Sequence, residues 1–346
     1  MATILGIEST CDETGAAIVV NGTIVRSNVV ASQISLHEKY RGVVPEIASR
    51  AHIESILPVI REAMSQAGCT FDDLDAIAVA YRPGLIGSLL IGVTAAKTLA
   101  WSSGKPLIGV DHVHAHLYSV MLNEAPPIEL PAVGLVISGG HTSLYHVNSW
   151  TDVALLGSTI DDAVGEAYDK VAAILGLSYP GGPIVDALAA KGDAQAIRFP
   201  RSLLGRDSLE FSFSGLKTSV LYHVRGVPKR NESRDATSAI PPPPTGQELF
   251  DICASFQAAC IDTIVKKLRR AAEHVDAKSI IIGGGVSANR GLREALRDFE
   301  LPVYFPPMQY CTDNAAMCAG LASVLLEAGL ISGLDLDAVT YSQFRA

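Results

Sequence analysis

The chain repeats its own opening. Residues 4–20, ILGIESTCDETGAAIVV, run as strand, polar turn and strand, and residues 132–148, AVGLVISGGHTSLYHVN, run as strand, glycine turn and strand. The letters agree poorly and the layout agrees well. In each half, helical and strand-like segments follow the hairpin, so the pattern is that of two related lobes, each a hairpin-led sheet with helices. At 346 residues the length suits this reading, because a single hydrophobic core stops growing at about 250–300 residues. The first lobe is expected over 1–131 and the second over 132–312. A final helix at 313–329 should pack back on the first lobe.

Within the first lobe, the Asn21–Gly22 pair between two β-rich runs is a hairpin signal. From Ala48 to Gly68 the apolar spacing is helical and ends on glycine, although Pro58 should bend the helix or mark a boundary. Residues 75–81 then read as a strand, 84–104 as a helix and 106–111 as a strand. In the second lobe, helices are expected at 162–177, 182–191, 214–225, 246–275 and 287–299. The polar, proline-rich stretch 226–245 reads as a surface insertion.

Hydrophobic residues make up 48% and charged residues 18%, which supports a packed core and excludes a disordered chain. The longest apolar runs, such as ILPVI at 56–60, fall far short of the ~20 residues that span a bilayer. The N-terminus lacks the basic region of a signal peptide, so the expected location is the cytoplasm. Six cysteines without a CxxC pair fit a reduced compartment rather than a disulfide framework or thiolate zinc site. A net charge of −9 excludes a broad electrostatic footprint for nucleic acid, so any such contact must be local or shared with partners. Lys266, Lys267, Arg269 and Arg270, with Lys229, Arg230 and Arg234 in the insertion, read mainly as a solvated face.

The chemistry-bearing segments are few. In HVHAH, His112 and His116 lie four apart, and on a helix that spacing puts both imidazoles on one face, where two neutral rings can chelate. The same spacing also suits one ring satisfying a buried backbone group with the other at the surface; His114 points elsewhere. Without the glutamate of HExxH, a zinc-protease reading lacks its general base. Asp313 opens the last helix, and on local grounds it reads as an N-cap before it reads as an oxygen ligand.

Three turns follow strands directly: IESTCDETG at 7–15, VISGGHTS at 136–143 and IIGGGVSANRG at 281–291. Glycine-rich or hydroxyl-bearing turns there admit phosphate closely, though a tight turn wants glycine for its own sake. Asp12 and Glu13 in the first could orient water, magnesium or an amine, or simply be solvated. Asp169 has no facing cation and reads as a surface acid. Asp186, taken as first-turn in the helix after Gly181 and Gly182, suits either the helix dipole or a ribose hydroxyl.

Taken together, IESTCDETG, GVVPEIASRAH, HVHAH, SGGHTSL, DDAVGEAYDKVAAILGL, YPGGP, FSFSGLKT, GGGVSANRGLR and CTDNAAM resemble, in order and over nearly the whole chain, the universal tRNA threonylcarbamoyladenosine transferases. These are the TsaD proteins of bacteria, formerly called O-sialoglycoprotein endopeptidases. The SGGHT form is that of bacterial and organellar members. The resemblance implies an α/β fold of two duplicated ribonuclease H-like lobes, of the actin, heat-shock chaperone and sugar kinase (ASKHA) class. It implies that His112, His116 and Asp313 hold one divalent metal per subunit, iron or zinc, with magnesium as a companion to the nucleotide. It places Val136, Ile137, Ser138, Gly139, Gly140, Asp169, Gly182, Asp186 and Asn289 around an adenylate, and Asp12 and Glu13 near the reacting centre. The implied reaction moves L-threonylcarbamoyl from threonylcarbamoyl-AMP to N6 of the adenosine 3′ of the anticodon, in tRNAs reading ANN codons, and releases AMP. The implied partners are tRNA, a TsaB-like paralogue and a TsaE-like ATPase, with no membrane. His114 stands where many members have glutamate, the insertion is long, and YSQFRA lacks a basic-aromatic tail. A kinase or ATPase of the same fold would share the turns but not need HVHAH, and a non-catalytic scaffold would tolerate changes at all of them.

Overall fold

A computed structural model describes residues 2–40, 42–123, 125–226 and 242–342. The first lobe contains β1 (Thr3–Glu8), β2 (Glu13–Val20), β3 (Ile24–Ser32), a single helical turn α1 (Ile34–His37), α2 (Pro45–Ala67), β4 (Ala76–Arg82), α3 (Ile86–Ser103), β5 (Leu107–Asp111) and α4 (His112–Tyr118). The second contains β6 (Ala132–Ile137), β7 (Thr142–Ser149), β8 (Asp152–Ser158), α5 (Val164–Ile174), α6 (Gly181–Ala189), α7 (Ser214–Arg225), α8 (Gly246–His274), β9 (Ser279–Gly283), α9 (Arg290–Ala295) and β10 (Val303–Tyr304), followed by α10 (Ala315–Glu327).

The two sheets have one topology. Their orders are β3-β2-β1-β4-β5 and β10-β9-β6-β7-β8. In each, three antiparallel strands come first and two parallel strands extend the other edge. The Asn21–Gly22 turn forms as its residues predict, with both φ positive at 52° and 74°. Positive-φ glycines end α2 and α3, at Gly68 and Gly104.

The structure departs from local expectation at three places. Helix α2 starts at Pro45 in the first turn, where a missing N–H is harmless, and continues past Pro58, so Pro58 marks no boundary. Pro58 has no N–H to give the carbonyl of Glu54, and that residue lies on the exposed face, where the carbonyl is open to solvent. The helix expected over 287–299 shrinks to α9 behind a 3-10 turn at Gly285–Ala288. Lys267 leaves the solvated face of α8: it is buried, and its ammonium donates to Leu203 O at 2.8 Å and Ser208 O at 2.5 Å. Of the insertion, residues 227–241 with Lys229, Arg230 and Arg234 lie outside the described residues. No helix among those described is long and apolar enough to cross a membrane, and all six cysteines are free thiols.

Two packing contacts fix the places of α10 and α4. Helix α10 returns to the first sheet, where Ala315, Ala316, Ala319 and Ala322 share a core with Ile4, Ala17, Ala76 and Ala78. The approach depends on Gly6, since a methyl there would lie 2.4 Å from Ala315 O. Helix α4 is buried along its whole length between the lobes. Ala115 and Tyr118 join the first-lobe core, and Val113 and Leu117 join Val136 and Ile281 of the second. Gly283 of β9 lies directly under it, and a methyl there would meet His116 O at 2.3 Å. Because the obstacle is backbone, Gly283→Ala is expected to cost ~2 kcal/mol or more and to displace α4. Denaturant unfolding with a shifted midpoint would show this, and an unchanged midpoint would refute it.

Candidate metal centre

The side chain of Asp111 caps α4 by accepting from the N–H groups of Val113 and His114 at 3.1 and 3.3 Å. One turn of helix then brings His112 and His116 to the same face, with ring centroids 4.6 Å apart. The loop leading into α10 delivers Asp313 to both: its Oδ1 lies 3.0 Å from His116 Nε2 and 3.6 Å from His112 Nε2. The local reading of Asp313 as the cap of the last helix is therefore overturned. Asn314 is the cap, accepting from Met317 N–H at 3.1 Å, which leaves Asp313 one residue outside the helix and turned to the histidines. His114 is buried and stands outside the group of three.

The three residues suit a divalent cation. Their ligand atoms lie within 4.8 Å of one another, and two imidazoles with one carboxylate leave coordination positions open for substrate. His112 is held from behind. Its Nδ1 is 3.0 Å from Glu8 Oε2 and 3.2 Å from Thr10 Oγ1, which fixes the ring and turns Nε2 toward Asp313. His116 stays neutral, because burial lowers its pKa against the pull of Asp313. Nδ1 of His116 is buried without a hydrogen bond.

Glu8 is a residue of this candidate site that sequence reasoning missed. It is fully buried at the end of β1 and takes hydrogen bonds from Thr10 N–H at 2.7 Å and Cys318 Sγ at 3.3 Å. Burial opposes its ionisation, but the His112 imidazole holds its carboxyl below the ordinary value. A lone acid closing the otherwise apolar strand TILGIE was the available signal. Glu8→Gln should weaken metal binding by about 10- to 100-fold, since outer-shell partners of ligating histidines carry that much. Equilibrium competition with a chromogenic chelator would measure it, and unchanged affinity would exclude the role.

The acid-bearing turn sits beside this centre. Asp12 is buried. Burial first, and then the charges of Asp313 and Asp12, push the Glu13 carboxyl up to about 10, so it carries its proton at neutral pH. His52 of α2 staples the turn, with its Nε2 donating to Cys11 O at 3.0 Å and its Nδ1 2.7 Å from Thr14 Oγ1. Across from it, Tyr179 has its hydroxyl pKa raised by burial and by the charges of both Asp12 and Asp169. The two lobes thus present acids to a shared space.

The second-lobe residues expected around an adenylate fall into three groups. Ser138, Gly139 and Gly140 form the turn between β6 and β7, with Val136 and Ile137 buried in the strand before it. Asp169 is not a surface acid: it is half-buried and accepts from Gly181 N–H at 2.7 Å, anchoring the turn that precedes Gly182. Asp186 lies on the sixth residue of α6 rather than in its first turn. It takes hydrogen bonds from Gln257 Nε2 at 3.1 Å and Arg290 Nε at 2.9 Å. Asn289 caps α9 through Leu292 N–H and donates to Gln257 Oε1 at 2.9 Å. Gln257, inside the long helix α8, gave no sign of this junction in the sequence.

A methyl placed on Gly139, Gly140 or Gly182 would meet nothing within 4 Å. Packing does not require glycine at these positions, whereas a ligand approaching the backbone would.

The family profile described as TsaD, tRNA N6-adenosine threonylcarbamoyltransferase, matches residues 24–320. A protein of that name from Moorella thermoacetica is 52% identical over 91% of this chain and 89% of its own. One from Trichlorobacter lovleyi is 47% identical over 97% and 95%. Among solved structures, HypF of T. kodakarensis superposes with a TM-score of 0.61 at 15% identity, over 94% of this chain and 48% of its own. Component A of the Acidaminococcus fermentans (R)-2-hydroxyglutaryl-CoA dehydratase gives 0.53 at 16%, over 94% and 98%. At these identities the structural matches show the fold alone, the two-lobed α/β architecture of the ASKHA class.

Proposed function

The chain belongs to the tRNA N6-adenosine threonylcarbamoyltransferases, transferases that act on tRNA, and on that premise we propose its donor, acceptor position and site roles. The donor is threonylcarbamoyl-AMP, and the acceptor is the N6 amine of the adenosine 3′ of the anticodon in tRNAs reading ANN codons. The amine nitrogen bonds to the carbamoyl carbon, the bond from that carbon to the phosphate oxygen breaks, and AMP leaves with the electron pair. Asp12 orients the amine and takes its proton. Protonated Glu13 donates a hydrogen bond beside it. His112, His116 and Asp313 hold an iron or zinc ion, which supplies a Lewis acid for the carbamoyl oxygen or an anchor for the donor. The turn from Val136 to Gly140, with Gly182, Asp169, Asp186 and Asn289, shapes the adenylate site, where magnesium can accompany the phosphate.

The observation that carries this reading is the convergence of two histidines and an aspartate from distant segments beside the Asp12 turn. The chain works in the cytoplasm with a TsaB-like paralogue and a TsaE-like ATPase, and its acidic net charge of −9 suits shared tRNA binding. The test supplies wild-type chain, these partners, threonylcarbamoyl-AMP labelled in threonine, and tRNA. Label should enter tRNA with one AMP released per group, and AMP release without labelled tRNA would reject the assignment. In the same assay Gly139→Ala should raise the KM for the donor by about tenfold at unchanged folding stability, since it intrudes only on the ligand side.

A further inference from the structure

Beyond α10 the chain turns back over the first lobe, and its contacts advance toward the base of α4. Ser332 donates its N–H to Leu107 O at 2.8 Å, and its hydroxyl accepts from Gly109 N–H at 3.0 Å. Leu336 occupies the space that Gly109 leaves, where a methyl would sit 3.0 Å from its Cδ1. Lys97 Nζ donates to Leu336 O at 2.7 Å, and Val339 N–H donates to Tyr81 O at 3.0 Å. The strap ends where Ser342 donates its hydroxyl to Asp111 Oδ2 at 2.8 Å.

Asp111 is the pivot. It is almost completely buried, and its two oxygens take different partners. Oδ1 accepts from the first N–H groups of α4, while Oδ2 takes the Ser342 hydroxyl and lies 3.5 Å from Arg82 Nε. A cap bonded through one oxygen can still rotate about its side-chain torsions; bonded through both, it is immobilised. The next residue is His112, so the setting of Asp111 becomes the setting of the first ligand.

We infer that Asp111, held through its second oxygen by Ser342, is a positioning residue for the metal centre, and that the segment 329–342 sets its metal affinity. This rests on the reading of His112, His116 and Asp313 as ligands. Asp111 acts through His112 and is not itself one of the three.

The full-length metal-free protein is titrated with Co²⁺, followed by visible absorption and by competition with Zn²⁺. Ser342→Ala should weaken Co²⁺ binding about tenfold and Asp111→Ala about a hundredfold, in the range for outer-shell supports. Ser342→Thr, which keeps the hydroxyl, should restore wild-type affinity, and the metal-free Ser342→Ala protein should unfold at the wild-type temperature. Wild-type affinity in Ser342→Ala overturns the inference. So does an equal loss in Ser342→Ala and Ser342→Thr, because that would follow from disturbed packing. His116→Ala is the control: if it leaves Co²⁺ binding intact, the ligand reading itself has failed, whereas lost binding there with wild-type affinity in Ser342→Ala removes only the role of the strap.

Discussion

A His116→Ala variant should emerge without bound metal and transfer threonylcarbamoyl about a thousandfold more slowly, since a bound cation supplies several kcal/mol to a charged transition state and each ~1.4 kcal/mol is tenfold. The loss is not shared out among neighbours. His116 Nε2 is the nearest partner of Asp313 at 3.0 Å, and His112 stands farther away at 3.6 Å. Removing His116 therefore leaves one imidazole and one carboxylate, too few protein ligands to hold a divalent cation tightly. The truncation also empties a buried site, which costs ~2–4 kcal/mol by itself. His116→Gln, which fills most of that volume, separates the two effects: both variants should lose metal, while the glutamine variant should keep more of its stability. Elemental analysis beside thermal unfolding reads this directly. Full metal content in either variant would rule out His116 as a ligand.

The second large effect divides two adjacent acids. Asp12→Asn should lower single-turnover transfer by about 10²- to 10⁴-fold, the range for a general base. Glu13→Gln should stay within about tenfold of wild type, because the Glu13 carboxyl, pushed up to about 10, already bears a proton and the amide copies a neutral donor. Rates measured with preformed donor isolate the transfer step from donor synthesis. If Glu13→Gln falls as far as Asp12→Asn, Glu13 works as an anion and the division is wrong.

Much of this site was legible in the order of residues. The duplicated hairpins, the Asn21–Gly22 turn and the glycine stops at Gly68 and Gly104 depend on torsion preferences and period-2 alternation, which act over a few residues. The His112–His116 pair belongs to the same class, because helix geometry alone puts positions four apart on one face. Local reasoning failed where two local choices were nearly equal. Asp313 and Asn314 are both good caps, and Asn314 takes the role. Pro58 is a helix breaker unless the carbonyl it frees meets water, and the exposure of Glu54 comes from the packing of α2.

What the sequence by itself determined was the class of fold and, from helix spacing, the His112–His116 half of the candidate metal centre; Asp313 entered only through the family resemblance, because short-range geometry does not reach that far. Only the tertiary structure shows what brings Asp313, and with it Glu8, to the two imidazoles. Asp313 reaches His116 across 197 positions and Glu8 reaches His112 across 104. Those meetings exist because α10 returns over Gly6 to the first sheet and α4 is buried between the lobes. A carboxylate far along a chain carries no mark of the imidazole it will face. That identity is fixed when apolar packing brings the two backbones together, and the cost of leaving a buried charge unpaired then selects the arrangement that satisfies it.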